Sequence, residues 1–337
     1  MLGIIDACTN TTALQPLTFY RSIAAIPFAG RYRLIDFTLS NMVNSGISSV
    51  AIFPRDRYRA LMDHIGSGKE WDLDRKRDGL FIFPPMTSDL HLESPSLFTQ
   101  FRYHIDYFLR SKQEYVLIAN SYTICTVDFE HVLQRHIASN ADITEMKQGD
   151  KPLNMYIINK SILVNILQNE SHDFYTIKEM VRYMAQSHRV EKYEHHGYTA
   201  EISSLDAYYK TSMEILSPDV WKQLFINERP VFTKVKDEPP TRYAKKAVVK
   251  NSMIANGCVI EGHVENSIIF RGVKIGKGTV VKNSIVMQKG VILENSVLEN
   301  VVLDKDVKIG SNETLLGESG LPRVIAKGTT QGALMKS

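Results

Sequence analysis

Val280-Val-Lys-Asn-Ser-Ile285-Val-Met-Gln-Lys-Gly290-Val-Ile-Leu-Glu-Asn295-Ser-Val-Leu-Glu-Asn300-Val-Val-Leu303 is the stretch that decides the fold. Within and just beyond it Ile285, Val291, Val297, Leu303 and Ile309 recur every six residues, and Val280, Val286, Ile292 and Leu298 keep the same step. Six is neither the 3.6 of a helix nor the simple alternation of a flat strand. It predicts a parallel β-helix of hexapeptide repeats, in which one aliphatic per six residues enters a triangular core. Gly-Cys-Val-Ile-Glu-Gly at 257–262 and Val-Lys-Ile-Gly-Lys-Gly at 273–278 supply tight corners. Asn-Ser pairs at 251, 266, 283 and 295, each followed by two aliphatics, repeat the same theme. An ordinary β-sandwich does not explain a six-residue step.

Working outward, residues 228–246 crowd Glu-Arg-Pro, Val-Lys-Asp-Glu-Pro-Pro and Arg242-Tyr-Ala-Lys-Lys246 into one segment that resists both helix and central strand, so a linker is placed there. Upstream, in 1–227, β-type runs (Leu2–Ala7, Ser49–Phe53, Tyr115–Ala119, Asn154–Ile158, Tyr198–Ile202) alternate with helical stretches. The latter fall at about 34–44, 57–65, 99–111, 129–139, 175–187 and 205–216. Alternation of this kind predicts an α/β domain with a mostly parallel sheet. The β-helix then occupies 247–337. A length of 337 residues accommodates both units.

The formal charge, 40 Lys+Arg against 37 Asp+Glu, is +3 and gives no electrostatic reason to expect nucleic acid. No apolar run approaches the ~18 residues of a membrane span, and no export signal is visible. Cys8, Cys125 and Cys258 are odd in number and far apart, which suggests neither disulfides nor a zinc site and fits a reducing cytoplasm.

A sheet domain followed by a hexapeptide β-helix suits sugar-nucleotide pyrophosphorylases and acyltransferases, and the motifs choose between them. Pro27-Phe-Ala-Gly-Arg-Tyr-Arg-Leu-Ile-Asp-Phe-Thr-Leu-Ser-Asn41 with Asn44-Ser-Gly-Ile47 closely resembles the bacterial glucose-1-phosphate adenylyltransferase (ADP-glucose pyrophosphorylase) family. His64-Ile-Gly-Ser-Gly68, Trp71-Asp-Leu-Asp-Arg75 and Val264-Glu-Asn-Ser267 extend the resemblance over nearly the whole chain. It implies a Rossmann-like nucleotidyltransferase domain, a left-handed β-helix, and an enzyme that joins ATP and glucose 1-phosphate with Mg²⁺.

Checked residue by residue, most of the implied machinery is missing. Leu14-Gln15-Pro16-Leu17-Thr18 survives, but the glycine-rich phosphate loop before it reads Cys8-Thr9-Asn10-Thr11-Thr12-Ala13. Backbone N–H groups turn toward phosphates through conformations that favour glycine and that β-branched Thr9 and Thr11 resist. Ala13 stands in place of the implied arginine and Ile23 in place of the implied lysine. Ser96-Leu97-Phe98 replaces Gly-Thr-Ala, and Asn120-Ser121 replaces the Gly-Asp whose carboxylate would hold the metal. A neutral hydroxyl is a weak ligand for a hard dication. Glu201 keeps one metal-side charge without a partner, and the sugar-phosphate segment is cut short between Asp142 and Asn154, with Lys151-Pro152 as its remnant.

The resemblance is therefore closest to the non-catalytic, regulatory subunit found beside the true enzyme in glycogen-making Gram-positive bacteria. It implies a hetero-oligomer, a tetramer in this family, with a catalytic subunit that carries the Mg²⁺; no cofactor is expected for this chain. A sugar-phosphate or other anionic effector is expected where the two domains meet, with Arg21, Arg31 and Arg33 as candidates because guanidinium matches phosphate bidentately. The main rival is an active adenylyltransferase, the partner-dependent form included. A hexapeptide acyltransferase would need His263 as its base. His131, His136, His195 and His196 are expected to be solvated surface residues, and Tyr208-Tyr209 with Phe98, Phe101 and Phe108 are expected in the core.

Overall fold

The computed structural model describes residues 1–9, 12–85, 96–169 and 174–332. The first domain is built on a seven-stranded mixed sheet. Its strands run across the sheet as Val190–Glu194, Ile143–Gln148, Lys151–Asn159, Tyr115–Asn120, Leu2–Ala7, Ser49–Pro54 and Gly79–Ile82. Leu2–Ala7 lies parallel to both of its neighbours, as its nearly continuous apolar run requires for a strand buried on both faces. Lys151–Asn159 is the exception, antiparallel to the strands on either side of it.

The helix expected at 34–44 is there, Leu34–Asn44, with every residue from Leu34 to Met42 buried. The stretch expected as one helix at 99–111 is broken into Leu97–Tyr103 and Ile105–Arg110 at His104. Phe98, Phe101 and Phe108 are in the core. The edge strand Val190–Glu194 and its neighbour Ile143–Gln148 escape the sequence pattern because each mixes charged residues into a short run.

From Arg242 onward the chain winds into three parallel sheets, one rung per coil in each. Arg242–Tyr243 already pairs with Val259–Ile260, so the first rung lies inside the segment read as linker. The rungs Val264, Val281, Leu298 and Leu315 stand in register one above another, as do Ile275, Ile292 and Ile309. After a step of 15 from Val249 to Val264, the coil therefore repeats at 17 residues rather than at three sixes, and a strict six-residue row drifts out of the core. Ile285, Leu303 and Ile309 are buried, whereas Val297 is 37% exposed. The lost residue disappears at corners that turn through positive φ. One corner is Asn251, Asn266, Asn283 and Asn300; the next is Gly257, Gly272, Lys289 and Asp306. Asparagine and glycine tolerate this left-handed geometry better than other residues.

A column of hydroxyls runs beside the asparagine corner. The Ser267 and Ser284 backbone N–H groups donate to the hydroxyls of Ser252 and Ser267 at 3.1 and 3.0 Å, and Val301 N–H donates to Ser284 Oγ at 3.1 Å. Each serine hydroxyl in turn donates to a carbonyl two residues back, as Ser284 does to Lys282 at 2.6 Å. The two aliphatics after each Asn-Ser pair face opposite ways. Ile269, Val286 and Leu303 enter the coil core. Ile268, Ile285 and Val302 point outward and are equally buried, against Leu14, Phe28, Phe37 and Tyr208 of the first domain.

Polar anchors cross the same seam. Tyr209 Oη donates to the Asn283 carbonyl at 2.6 Å, while Tyr208 Oη, on the first-domain side, donates to the Pro27 carbonyl at 2.8 Å. Arg21 pairs with Asp304 at 2.9 Å, both side chains almost fully buried. No described helix is long and apolar enough to cross a membrane.

Ser284→Ala leaves the Val301 N–H and the Lys282 carbonyl without this partner in a fully buried position. The expected loss is about 1–3 kcal/mol of unfolding free energy, read in urea as a lower midpoint at unchanged slope.

Candidate functional site

In an α/β sheet, ligands are met beyond the carboxyl ends of the parallel strands, here the ends of Leu2–Ala7 and Tyr115–Asn120. The first residue of the loop leaving Leu2–Ala7, Cys8, is held onto the sheet. Cys8 N–H donates to Asp6 Oδ1 at 2.9 Å, Cys8 Sγ reaches the Phe53 carbonyl at 3.2 Å, and Gln100 Nε2 donates to that sulfur at 3.1 Å. Burial pushes both the Asp6 carboxyl and the Cys8 thiol above their usual ranges. Thr9 is exposed beside Tyr122, Thr11 lies outside the described residues, and Ala13 sits in the short turn Thr12–Leu14. Ile23 is a core residue packed with Leu14 and Leu17.

At the neighbouring strand end, Asn120 and Ser121 are buried. The Asn120 side chain donates to the Leu153 carbonyl and accepts from the N–H groups of Tyr122 and Thr123, at 2.9, 3.0 and 2.8 Å. It serves as an internal clamp on the turn and has no oxygen left for a metal. Glu201 is exposed on the strand Thr199–Glu201, whose partner strand supplies Thr123 opposite it. This donor set does not fit Mg²⁺: the strand end offers an amide and a hydroxyl where a carboxylate pair is required. The remaining cavity, lined by Asp6, Thr9, Asn120, Tyr122, Asn154 and Tyr156 among others, measures about 160 Å³. Pockets that engulf a nucleotide-sized ligand run to about 300 Å³ and more.

The motif carrying the family resemblance is well kept for another reason. Arg33 N–H donates to Asp36 Oδ2 at 3.0 Å, and Asp36 Oδ1 meets His64 Nε2 at 2.6 Å. Ser40 Oγ accepts from Trp71 Nε1 and from Phe232 N–H at 3.2 and 2.9 Å, which fastens the junction segment to the helix Leu34–Asn44. Asn41 donates to the Cys125 carbonyl at 2.9 Å and accepts from Val127 N–H at 3.3 Å. Asn44 donates to Pro230. These polar residues of the motif hold the scaffold together.

A second cleft, of about 420 Å³, opens between the domains. Arg33 enters it from the first domain, Lys234 and Lys236 from the junction, and Arg271, Lys289, Lys305 and Lys327 from the β-helix. Seven basic groups face three acidic ones, Asp63, Glu238 and Asp306. Burial, with the Arg21 charge behind it, lowers the Arg33 guanidinium to about 10. Burial lowers Lys236 and Arg271 too, helped by the Arg271 charge for the lysine and by the Arg31 charge for the arginine. Burial and then the charges of Arg33 and Arg21 bring the Lys305 ammonium to about 6.

Of the three arginines singled out in the sequence, only Arg33 lines this cleft. Arg21 is committed to Asp304 in the seam behind it. Arg31 is exposed, over the Tyr32 ring at 5.5 Å, and its carbonyl accepts from Arg271 at 3.3 Å. The lysines were missed because they are scattered in sequence. Arg271, Gln288, Lys305 and Lys327 become one column only when the 17-residue coil, and the longer coil after it, are known.

Other histidines differ from expectation. His136 is buried between Thr144 Oγ1 and Asn159 Oδ1, at 2.8 and 3.0 Å, because its helix packs that face onto the sheet. His195 is buried as well, while His131 is exposed and bonded to Tyr193 Oη at 2.9 Å. His263, on the rung His263–Glu265, lies 3.3 Å from Glu265.

Comparison with known proteins fits these two halves. Residues 2–156 match the model of the nucleotidyl transferase family, and residues 239–319 match that of the GlmU-like C-terminal hexapeptide. The fold and its motifs thus define a nucleotidyltransferase domain joined to a hexapeptide β-helix. Glycogen biosynthesis protein GlgD of Bacillus subtilis is 54% identical over all of this chain and 98% of its own length, and that of Geobacillus stearothermophilus is 53% identical over 99% and 98%. Glucose-1-phosphate adenylyltransferase of Thermotoga maritima is 33% identical over 83% of this chain and 76% of its own. The chain belongs to the GlgD family of glycogen biosynthesis proteins, within the wider ADP-glucose pyrophosphorylase family.

Burial lowers the His64 and His136 imidazoles below their ordinary value. The unfolded chain then binds more protons than the folded one as the pH falls through the ordinary histidine value of about 6.5, so stability rises with pH in that range. Denaturation midpoints are expected to fall between about pH 7 and pH 5, with the His136→Gln variant less sensitive than the wild type.

Proposed function

We propose that this chain is the regulatory, non-catalytic subunit of an ADP-glucose pyrophosphorylase, assembling with a catalytic glucose-1-phosphate adenylyltransferase subunit and changing its response to effectors. The observation that carries the reading is the contrast at the strand ends. The scaffold motif from Arg33 to Ser45 is intact, while the adjoining nucleotide cavity is small, lacks a carboxylate pair and has its loop tied to Phe53 and Gln100. Catalytic groups that act as a unit leave little activity when several go together.

The interdomain cleft is the effector site in this reading. Arg33 supplies the guanidinium for a phosphate, Arg21 adds fixed charge from the seam, and Arg31 lies beside Arg271 at the outer side. A sugar phosphate or another small phosphorylated anion is the ligand class that six convergent cations beside the Lys305 amine select. No cofactor is assigned to this chain; Mg²⁺ belongs to the catalytic partner. The coupling expected between cleft and partner is ~1–3 kcal/mol, a factor of about 5–150 in apparent affinity.

Two measurements test this. Co-purified with a catalytic subunit, the chain forms a hetero-oligomer by sedimentation and shifts its effector response, whereas alone it gives no turnover of Mg-ATP and glucose 1-phosphate. Turnover by the isolated chain near the ~10 per second typical of enzymes would overturn the reading in favour of an active adenylyltransferase. Within the complex, the Arg271→Ala, Lys289→Ala pair is expected to weaken a phosphorylated effector by about tenfold or more and to flatten its salt dependence.

A further inference from the structure

Lys305 differs from the other cations of the cleft. Its backbone N–H donates to Asp304 Oδ1 at 2.7 Å, directly beside the buried Arg21–Asp304 pair, so its chain leaves the seam and runs into the cleft half-buried. Several charges act on its amine: Arg33 and Arg21 from the first domain, and Asp304 and Lys327 from the β-helix. His64 and Asp306 line the same space. Asp304, a counter-charge acting on it, is held through Oδ1 by Arg21 and by the Lys305 backbone.

We propose that Lys305 is a nucleophilic acylation site, and that acyl phosphates are the reagents the interdomain cleft delivers to it. The inference rests on reading the cleft as a receptor for phosphorylated anions. An amine that is desolvated and ringed by cations is uncharged near neutral pH, which is how lysine becomes a nucleophile. The amine value of about 6 agrees with this geometry. The same cations attract the phosphate of an acyl phosphate and hold its acyl carbon beside the amine. The Lys305 nitrogen adds to that carbon, forming the C–N bond of an amide. The carbon–oxygen bond to phosphate breaks, and inorganic phosphate departs carrying the proton lost by the amine. Arg33 stabilises the charge on the leaving group. The product amide no longer carries a titratable amine, so acylation and effector binding compete for one cleft.

The test uses the wild-type full chain, acetyl phosphate as the probe and site-resolved peptide mass spectrometry. Lys305 is expected to be acetylated at least about tenfold faster than exposed Lys277 and Lys308 at pH 7.5. Its rate should level off above about pH 7 while theirs keep climbing, and excess inorganic phosphate should slow Lys305 alone. A Lys305 rate equal to that of Lys277, or one still rising at pH 9, overturns the proposal. Phosphate binding by calorimetry on the same sample separates the two ideas. If phosphate binds and Lys305 is not preferred, acylation is wrong and the anion cleft stands. If Lys305 is labelled fast but phosphate neither binds nor slows it, the cleft is not the acceptor and the delivery mechanism falls with it.

Discussion

Everything in this molecule that depends on two domains depends on the apolar seam between them. Ile268, Ile285 and Val302 leave the β-helix side by side and are as fully buried as the residues inside the coil. Each such side chain contributes roughly 1.5–3 kcal/mol by its removal from water, so the column is comparable in weight to a piece of domain core. Arg21 and Asp304 are set beside this seam as a buried ion pair. Such a pair adds little to stability by itself, yet losing one partner strands the other charge in an apolar setting. It therefore penalises any arrangement in which the domains separate or slide, and it fixes the walls of the cleft that opens beside it.

That arrangement explains why a chain can keep a family's motifs after giving up its chemistry. Asp36, Ser40, Asn41 and Asn44 are polar residues on a helix whose first nine residues are buried, and the polar atoms of the first three would be expensive to leave unpaired. They are spent on His64, Trp71, Cys125, Phe232 and Pro230, which ties helix, sheet and junction together. Substitution at any of them harms folding directly. The phosphate loop has no such obligations to the core. Its first residue, Cys8, is held to Phe53 and Gln100.

The cleft shows the opposite economy. The basic groups brought together here repel one another, and burial, followed by the charge of neighbouring basic groups, lowers Arg33, Arg271, Lys236 and Lys305. A structure held together by its seam can sustain this unfavourable field, and an arriving anion relieves it. The energy stored in the repulsion becomes part of the binding free energy of whatever anion enters, which gives a site of this kind both strength and a salt-dependent response.

Much of this was legible in the sequence. Gly-rich corners and aliphatic rows announced a β-helix, because a coil with one buried position per face must repeat. The loss of Gly, Arg, Lys and Asp at named positions announced a nucleotide site without its chemistry, because phosphate and metal recognition needs those side chains whatever the surroundings. The sequence could not show that the central coils hold 17 residues and not 18, since the shortening happens at left-handed corners that Asn, Lys and Asp occupy as well as Gly. Nor could it show that Arg21 faces Asp304 rather than an effector, or that Arg271, Lys305 and Lys327 form one column opposite Arg33. The residues that determine chemistry are local in sequence and can be read singly. Electrostatic fields and buried pairs are sums over distances, and only the tertiary structure supplies the distances.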